Sequence, residues 1–207
     1  MVDEPTDKHR ALPLDERKPA IRAAQTKNLL DLLTRLEPDE RAKVDANVDP
    51  EVLERVRRAF GVSWTPMAEH MHFCDELYAV VGVERFVELF RETFIRSMQS
   101  PLMAGFFGMI RRISRNSIDM TLRNSPRIYG FITRDVGELM YVPHGPRSAS
   151  LEMHDWPAEE FGFECWLHGT LGSIKGAMQL MAPDDQVEVT IGRTDPAKGF
   201  GDYRVEW

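Results

Sequence analysis

Residues 69–76 read EHMHFCDE and put two histidines, a cysteine and three carboxylates into eight positions. These are metal-ligating types, and a zinc site is the chemistry they suggest. On a helix, His70 and Cys74 are four residues apart and share a face. His72 lies about 200° around from His70. At most two of the three can then reach one ion, whereas a structural zinc takes four ligands and a catalytic one three from the protein. The rest would have to come from His144, His154 or His168. We therefore expect a helix with Cys74 in the core, since free cysteine is among the most buried residue types. His70 and His72 are expected to be partly exposed, and no metal ligands or catalytic residues are assigned.

Three other stretches carry chemistry-bearing residues. In HDWPAEEFGFECWLH (154–168), Cys165 and His168 are three apart and Glu164 and His168 four apart, spacings that meet on a helix. No third group to orient the histidine and no oxyanion hole accompany them, so a solvated acidic first helical turn is the plainer reading. In residues 111–134, six arginines face the single Asp119, while residues 135–207 carry thirteen acids against five bases. Arg111, Arg112, Arg115, Arg123 and Arg127 form the expected patch for an anion or an acidic partner, unless they pair within the chain or across a dimer. Finally, Phe86, Phe90, Phe94, Met103, Phe107 and Trp166 are the expected lining of a small apolar pocket, methionine being the adaptable member of such surfaces. Core packing is the alternative for these side chains.

Helical periodicity dominates residues 25–134. QTKNLLDLLTRL aligns Leu29, Leu30, Leu32, Leu33 and Leu36 on one stripe. Asp49 then caps a helix opened by Pro50 that stops at Gly61. Thr65 caps a second, opened by Pro66 and closed at Gly82. Phe86 to Met98 continues at helical spacing, another helix follows Pro101, and a further one is bent or interrupted near Pro126. From residue 135 the pattern alternates. GELMYVP and SASLEMHD read as strands around the turn HGPR, FECWLHGTLGSIKGAMQLM as a helix, and QVEVTIG and DYRVEW as closing strands. Gly169, Gly172 and Gly176 each cost that helix about 1 kcal/mol relative to alanine, which suits close approach to a neighbour. The expected fold is α+β: a helical half, then β-β-α-β-β with an antiparallel sheet. Residues 1–24 are expected to be a flexible arm and 25–207 one domain.

The 207 residues are 43% hydrophobic and 29% charged with net charge −7, against the basic field that general nucleic-acid binding requires. Two cysteines imply no disulfide framework. No signal peptide or membrane-length apolar run is apparent, and a cytoplasmic protein is expected.

The order of SWTPM, SPRIYGFI, GELMYVPHGPRSASLEMHDWP, CWLHGTLGSIKGAM and the closing YRVEW resembles a group of domains over residues 49–207. The group comprises the haem nitric-oxide-binding (H-NOX), vinyl-reductase-like and TRAPP-subunit domains, with an uncharacterised myxobacterial family of similar length as the nearest likeness. The resemblance implies an α/β sandwich-like fold that dimerises through its helical face. Haem-binding members carry an axial histidine in the helix before the sheet and a Tyr-x-Ser-x-Arg anchor. This chain has no histidine between Ile110 and Thr133, and none of Tyr78, Tyr129, Tyr141 or Tyr203 begins such an anchor. No cofactor is therefore expected. The leading expectation is a non-catalytic sensory, regulatory or scaffolding homodimer binding a protein partner or a small apolar molecule. An acyl-chain binder with a tunnel between Phe86–Phe107 and the Trp166 helix is one alternative. A metal-dependent enzyme, in which His70 and Cys74 converge with another histidine, is the other.

Overall fold

The computed structural model describes residues 18–99, 117–183 and 186–207. The helix expected after Pro101 and residues 1–17 of the expected arm lie outside them.

The chain enters through a short strand, β1 (Ala20–Arg22), and passes into α1 (Ala23–Leu32) and a 3-10 turn (Leu33–Arg35). The leucine stripe is buried as its spacing requires. Next come α2 (Pro38–Asn47) and α3 (Pro50–Arg58), where the Asp49 carboxylate accepts from the Glu51 amide at 2.8 Å. β2 (Trp64–Pro66), α4 (Met67–Val81) and α5 (Val83–Gln99) follow. After α6 (Ser117–Ile132) come β3 (Thr133–Arg134), β4 (Glu138–Gly145), β5 (Ser148–His154), α7 (Phe163–Met181), β6 (Glu188–Asp195) and β7 (Phe200–Glu206). The fold is α+β, with the β-β-α-β-β order in its second half.

Two antiparallel sheets organise these elements. β4-β5-β7-β6 is the larger, and β2-β1-β3 is a small sheet whose strands come from three distant parts of the chain. The small sheet corrects two expectations. Residues 20–24, placed in the expected arm, instead belong to β1 and α1, with Ala20 and Ile21 buried and paired. Thr65 does not cap α4, because it pairs with Ile21 inside β2; the Met67 amide instead donates to the Pro19 carbonyl at 2.9 Å. At the other end Gly82, at φ +75°, closes α4 as expected.

Helix α6 runs through Pro126 without interruption. Side chains supply bonding in the preceding turn, with Asn124 donating to the Met120 carbonyl at 2.7 Å and Ser125 to Thr121 at 3.0 Å. Ile118, Leu122 and Tyr129 hold that face on the core.

Helix α7 lies between the sheet and α5. Leu167 packs over Gly201 of β7, while Gly172 and Gly176 let the α5 backbone approach. A methyl at Gly176 would sit 2.7 Å from the Arg91 carbonyl oxygen. By contrast Gly130, exposed on α6, has nothing within 4 Å of where a methyl would go. Gly130→Ala should therefore gain up to about 1 kcal/mol in denaturant unfolding, from helix propensity alone. One apolar core runs from the leucines of α1 through α4, α5 and α7 to Tyr203 and Val205 of β7. No described helix is long and apolar enough to cross a membrane.

Candidate functional site: an apolar cavity beneath the helices

Where α1, α4, α5, α6 and α7 meet strands β1, β4 and β5, the packing leaves a cavity of about 110 Å3. Phe90 and Phe94 enter from α5, Trp166 and Ile174 from α7, and Leu29 from α1. Thr121, Ser125, Ile128 and Ile132 enter from α6, at spacings of four, three and four that share one helical face. Leu139 and Leu151 form the sheet side.

Of the pocket residues expected from sequence, Phe90, Phe94 and Trp166 thus share one cavity. Phe86 does not line it. The turn of α5 at Phe86 points at α4, and its ring packs edge-on to Tyr78 at 5.1 Å, fully buried in the core. Met103 and Phe107 lie outside the described residues. Sequence reasoning missed the α6 face, whose small polar residues hide its period, and β1, too short to read from pattern.

His70 also lines the cavity and is 1% exposed, contrary to the expected partly exposed position. The first turn of α4 docks against α1, so its Nδ1 hydrogen-bonds Thr26 Oγ1 at 2.9 Å, and its Nε2 lies 3.4 Å from Cys74 Sγ. The ring stands edge-on to Trp166 at 6.2 Å, and Trp166 stacks on Trp156 at 4.6 Å. His72 is exposed on the far side and meets the Asn47 carbonyl at 3.1 Å.

The convergence with another histidine required for a metal enzyme does not occur: no group of three metal-ligating side chains is present among the described residues. His154 meets Glu152 on the sheet at 3.1 Å, whereas His168 meets the Tyr78 hydroxyl at 3.1 Å between α7 and α4. The acid/base residues of 154–168 therefore scatter. Tyr129 donates to the Val136 carbonyl at 2.9 Å, and burial pushes its phenol well above the ordinary range. It joins α6 to the loop before β4 and is a brace, not an acid.

The arginine patch is partly self-occupied. Arg123 pairs with Asp119 at 2.6 Å and lies over the Tyr141 ring at 5.1 Å; Tyr141 donates to the same carboxylate at 2.6 Å. Burial would raise the Asp119 pKa, but these hydrogen bonds from Arg123 and Tyr141 outweigh it and hold the carboxyl below its usual range. Arg127 is exposed, and Arg111, Arg112 and Arg115 lie outside the described residues.

The architecture is that of H-NOX domains. The chain is similar to the Fe(II) unliganded H-NOX protein from K. algicida at TM-score 0.64 and 12% identity, covering 90% of this chain and 96% of that one. A T. tengcongensis H-NOX variant gives TM-score 0.54 at 14% identity, covering 90% and 97%. An oxygen-binding H-NOX domain related to soluble guanylate cyclases gives 0.53 at 16%, covering 88% and 90%. No family model and no curated protein matches the sequence. The resemblance to TRAPP subunits and vinyl-reductase-like domains rests on sequence motifs alone.

The residues present do not fit haem. Among the described residues, the one histidine lining the cavity has both ring nitrogens engaged, and no arginine lines it to hold propionates. A cavity of about 110 Å3 is also far below the ~300–1,000 Å3 of pockets that hold drug-sized molecules.

Proposed function

We propose that this chain is a non-catalytic sensory or regulatory module of the H-NOX fold that binds a small apolar molecule, not haem, in the cavity between α5, α6 and α7. The observation that carries this reading is the lining: phenylalanine, isoleucine, leucine and tryptophan side chains, with Gln25, His70, Tyr129 and small hydroxyls as the polar groups and no charged side chain among the described residues. Apolar voids of roughly 150 Å3 in proteins stay dry and admit benzene or xenon, which sets the size class. A long acyl chain exceeds this volume. Occupancy would set the spacing of α5 and α6 and so be read by a partner protein or the second copy of a homodimer. In this reading residues 20–207 act as one cytoplasmic domain.

Native mass spectrometry and haem titration of the purified chain test the proposal. The expected result is a dimer mass with no haem retained and no sharp Soret band on adding ferric haem. A stoichiometric Soret band lost in His70→Ala would overturn it.

A further inference from the structure

The chain has only two cysteines, 91 positions apart, and the fold brings both to one point between α4 and α7. Cys74, on α4, and Cys165, in the first turn of α7, are both buried in the seam between these helices, which the His70–Trp166 ring contact at 6.2 Å and the Tyr78–His168 hydrogen bond at 3.1 Å close on either side. His70 Nε2 lies 3.4 Å from Cys74 Sγ on one side. On the other, the Asp75 carboxylate lies at the start of α7, on the Cys165 side. Asp75 fits there because Gly162, which opens α7, has no side chain: a methyl at that position would sit 2.7 Å from Asp75 Oδ1. A packed core needs none of this. Two inert buried thiols pack as small hydrophobes, whereas here each has its own proton-accepting neighbour.

We propose that Cys74 and Cys165 form a reversible dithiol–disulfide pair, oxidised by a peroxide, that ties α4 to α7 beside the cavity. This does not depend on the ligand reading above. Cys74 is the attacking sulfur. Burial alone would push its thiol up, but the hydrogen bond with Cys165 and the adjacent His70 outweigh that and favour the thiolate. The Cys165 thiol is pushed up by the same hydrogen bond, and then by burial, so it keeps its proton until its turn. Thiolate character of this kind marks oxidisable cysteines.

The chemistry balances with hydrogen peroxide as the oxidant. The Cys74 sulfur attacks one peroxide oxygen, the O–O bond breaks, and the leaving hydroxide takes the proton that Cys74 gave up, forming water and Cys74 sulfenic acid. Cys165 sulfur then attacks Cys74 sulfur, its proton passing by way of Asp75 to the departing hydroxide. The S–O bond breaks, the S–S bond forms and a second water leaves. The two sulfurs together lose two electrons, and peroxide is reduced to two waters. Peroxide is neutral and little larger than water. Both thiols are buried, whereas Asp75 is only partly buried, so peroxide enters from the Asp75 side. Oxidation also removes the Cys74 thiol from His70 Nε2 and leaves that nitrogen free at the cavity wall.

The test is to treat the reduced full chain with hydrogen peroxide under native conditions and measure intact mass and non-reducing peptide maps. The expected result is loss of two hydrogens, a peptide cross-link joining Cys74 to Cys165, and complete reversal by dithiothreitol. Cys165→Ser should instead accumulate sulfenic acid on Cys74, trapped by dimedone, and Cys74→Ser should leave Cys165 unreacted. If the folded wild-type chain yields no cross-link, or oxidises at Cys74 only to sulfinic acid, the proposal fails. The wild-type map decides this even if a variant does not fold.

Discussion

Phe86→Ala should lower folding stability by about 3–5 kcal/mol, the ordinary cost of emptying a buried phenylalanine site. The ring is fully buried, lies edge-on to Tyr78 at 5.1 Å and meets the Phe90 ring at 4.5 Å. Tyr78 is itself tied to His168 of α7, so the void would open where three helices meet. Urea unfolding should show a lower midpoint at unchanged slope. A cost under about 1 kcal/mol would mean that α4 and α5 close over the gap and that Phe86 is no pillar of the core.

Gly172→Ala should cost about 1–3 kcal/mol, although alanine is the better helix former by about 1 kcal/mol. The added methyl would fall within contact of the Val87 carbonyl oxygen, 2.8 Å from Phe90 Cβ and 3.1 Å from the Arg91 amide. Two of these neighbours are backbone, so relief requires α5 and α7 to separate rather than a side chain to rotate. Separation would also displace Phe90 and Trp166 from the cavity they share. Thermal unfolding of this variant beside Gly130→Ala makes the comparison: the same chemical change should have opposite signs at the two sites.

Elements with long, regular periods were legible in the sequence. The α7 helix, the four strands of the larger sheet and the leucine stripe of α1 and the 3-10 turn after it follow from spacing, and the three α7 glycines announced a close neighbour. Tertiary structure hid the remainder. β1 and β2 are three residues each and exist because they pair with each other, which turned Thr65 from a cap into a strand residue. Helix α2 has one buried side chain, Val44, and so little apolar period to read. Three of the cavity's lining residues, Phe90, Phe94 and Trp166, were visible as aromatic residues on α5 and α7. Phe86 and Phe90 are equally spaced phenylalanines on one helix, yet only the second meets the cavity, and no one-dimensional pattern separates them. EHMHFCDE divided as helix geometry required, with His72 turned away from His70 and Cys74. Its real neighbours, Thr26 and Cys165, come from helices 44 and 91 positions distant and carry no mark in the local sequence.

The most direct measurement is an NMR titration of the reduced chain with toluene, following the Trp166 indole and the methyl groups of Ile128 and Ile174. Binding in the cavity predicts saturable shifts confined to these groups and their neighbours, abolished in Ile128→Trp, whose ring fills the space. Shifts that do not saturate, or that persist unchanged in Ile128→Trp, would contradict a ligand-binding cavity.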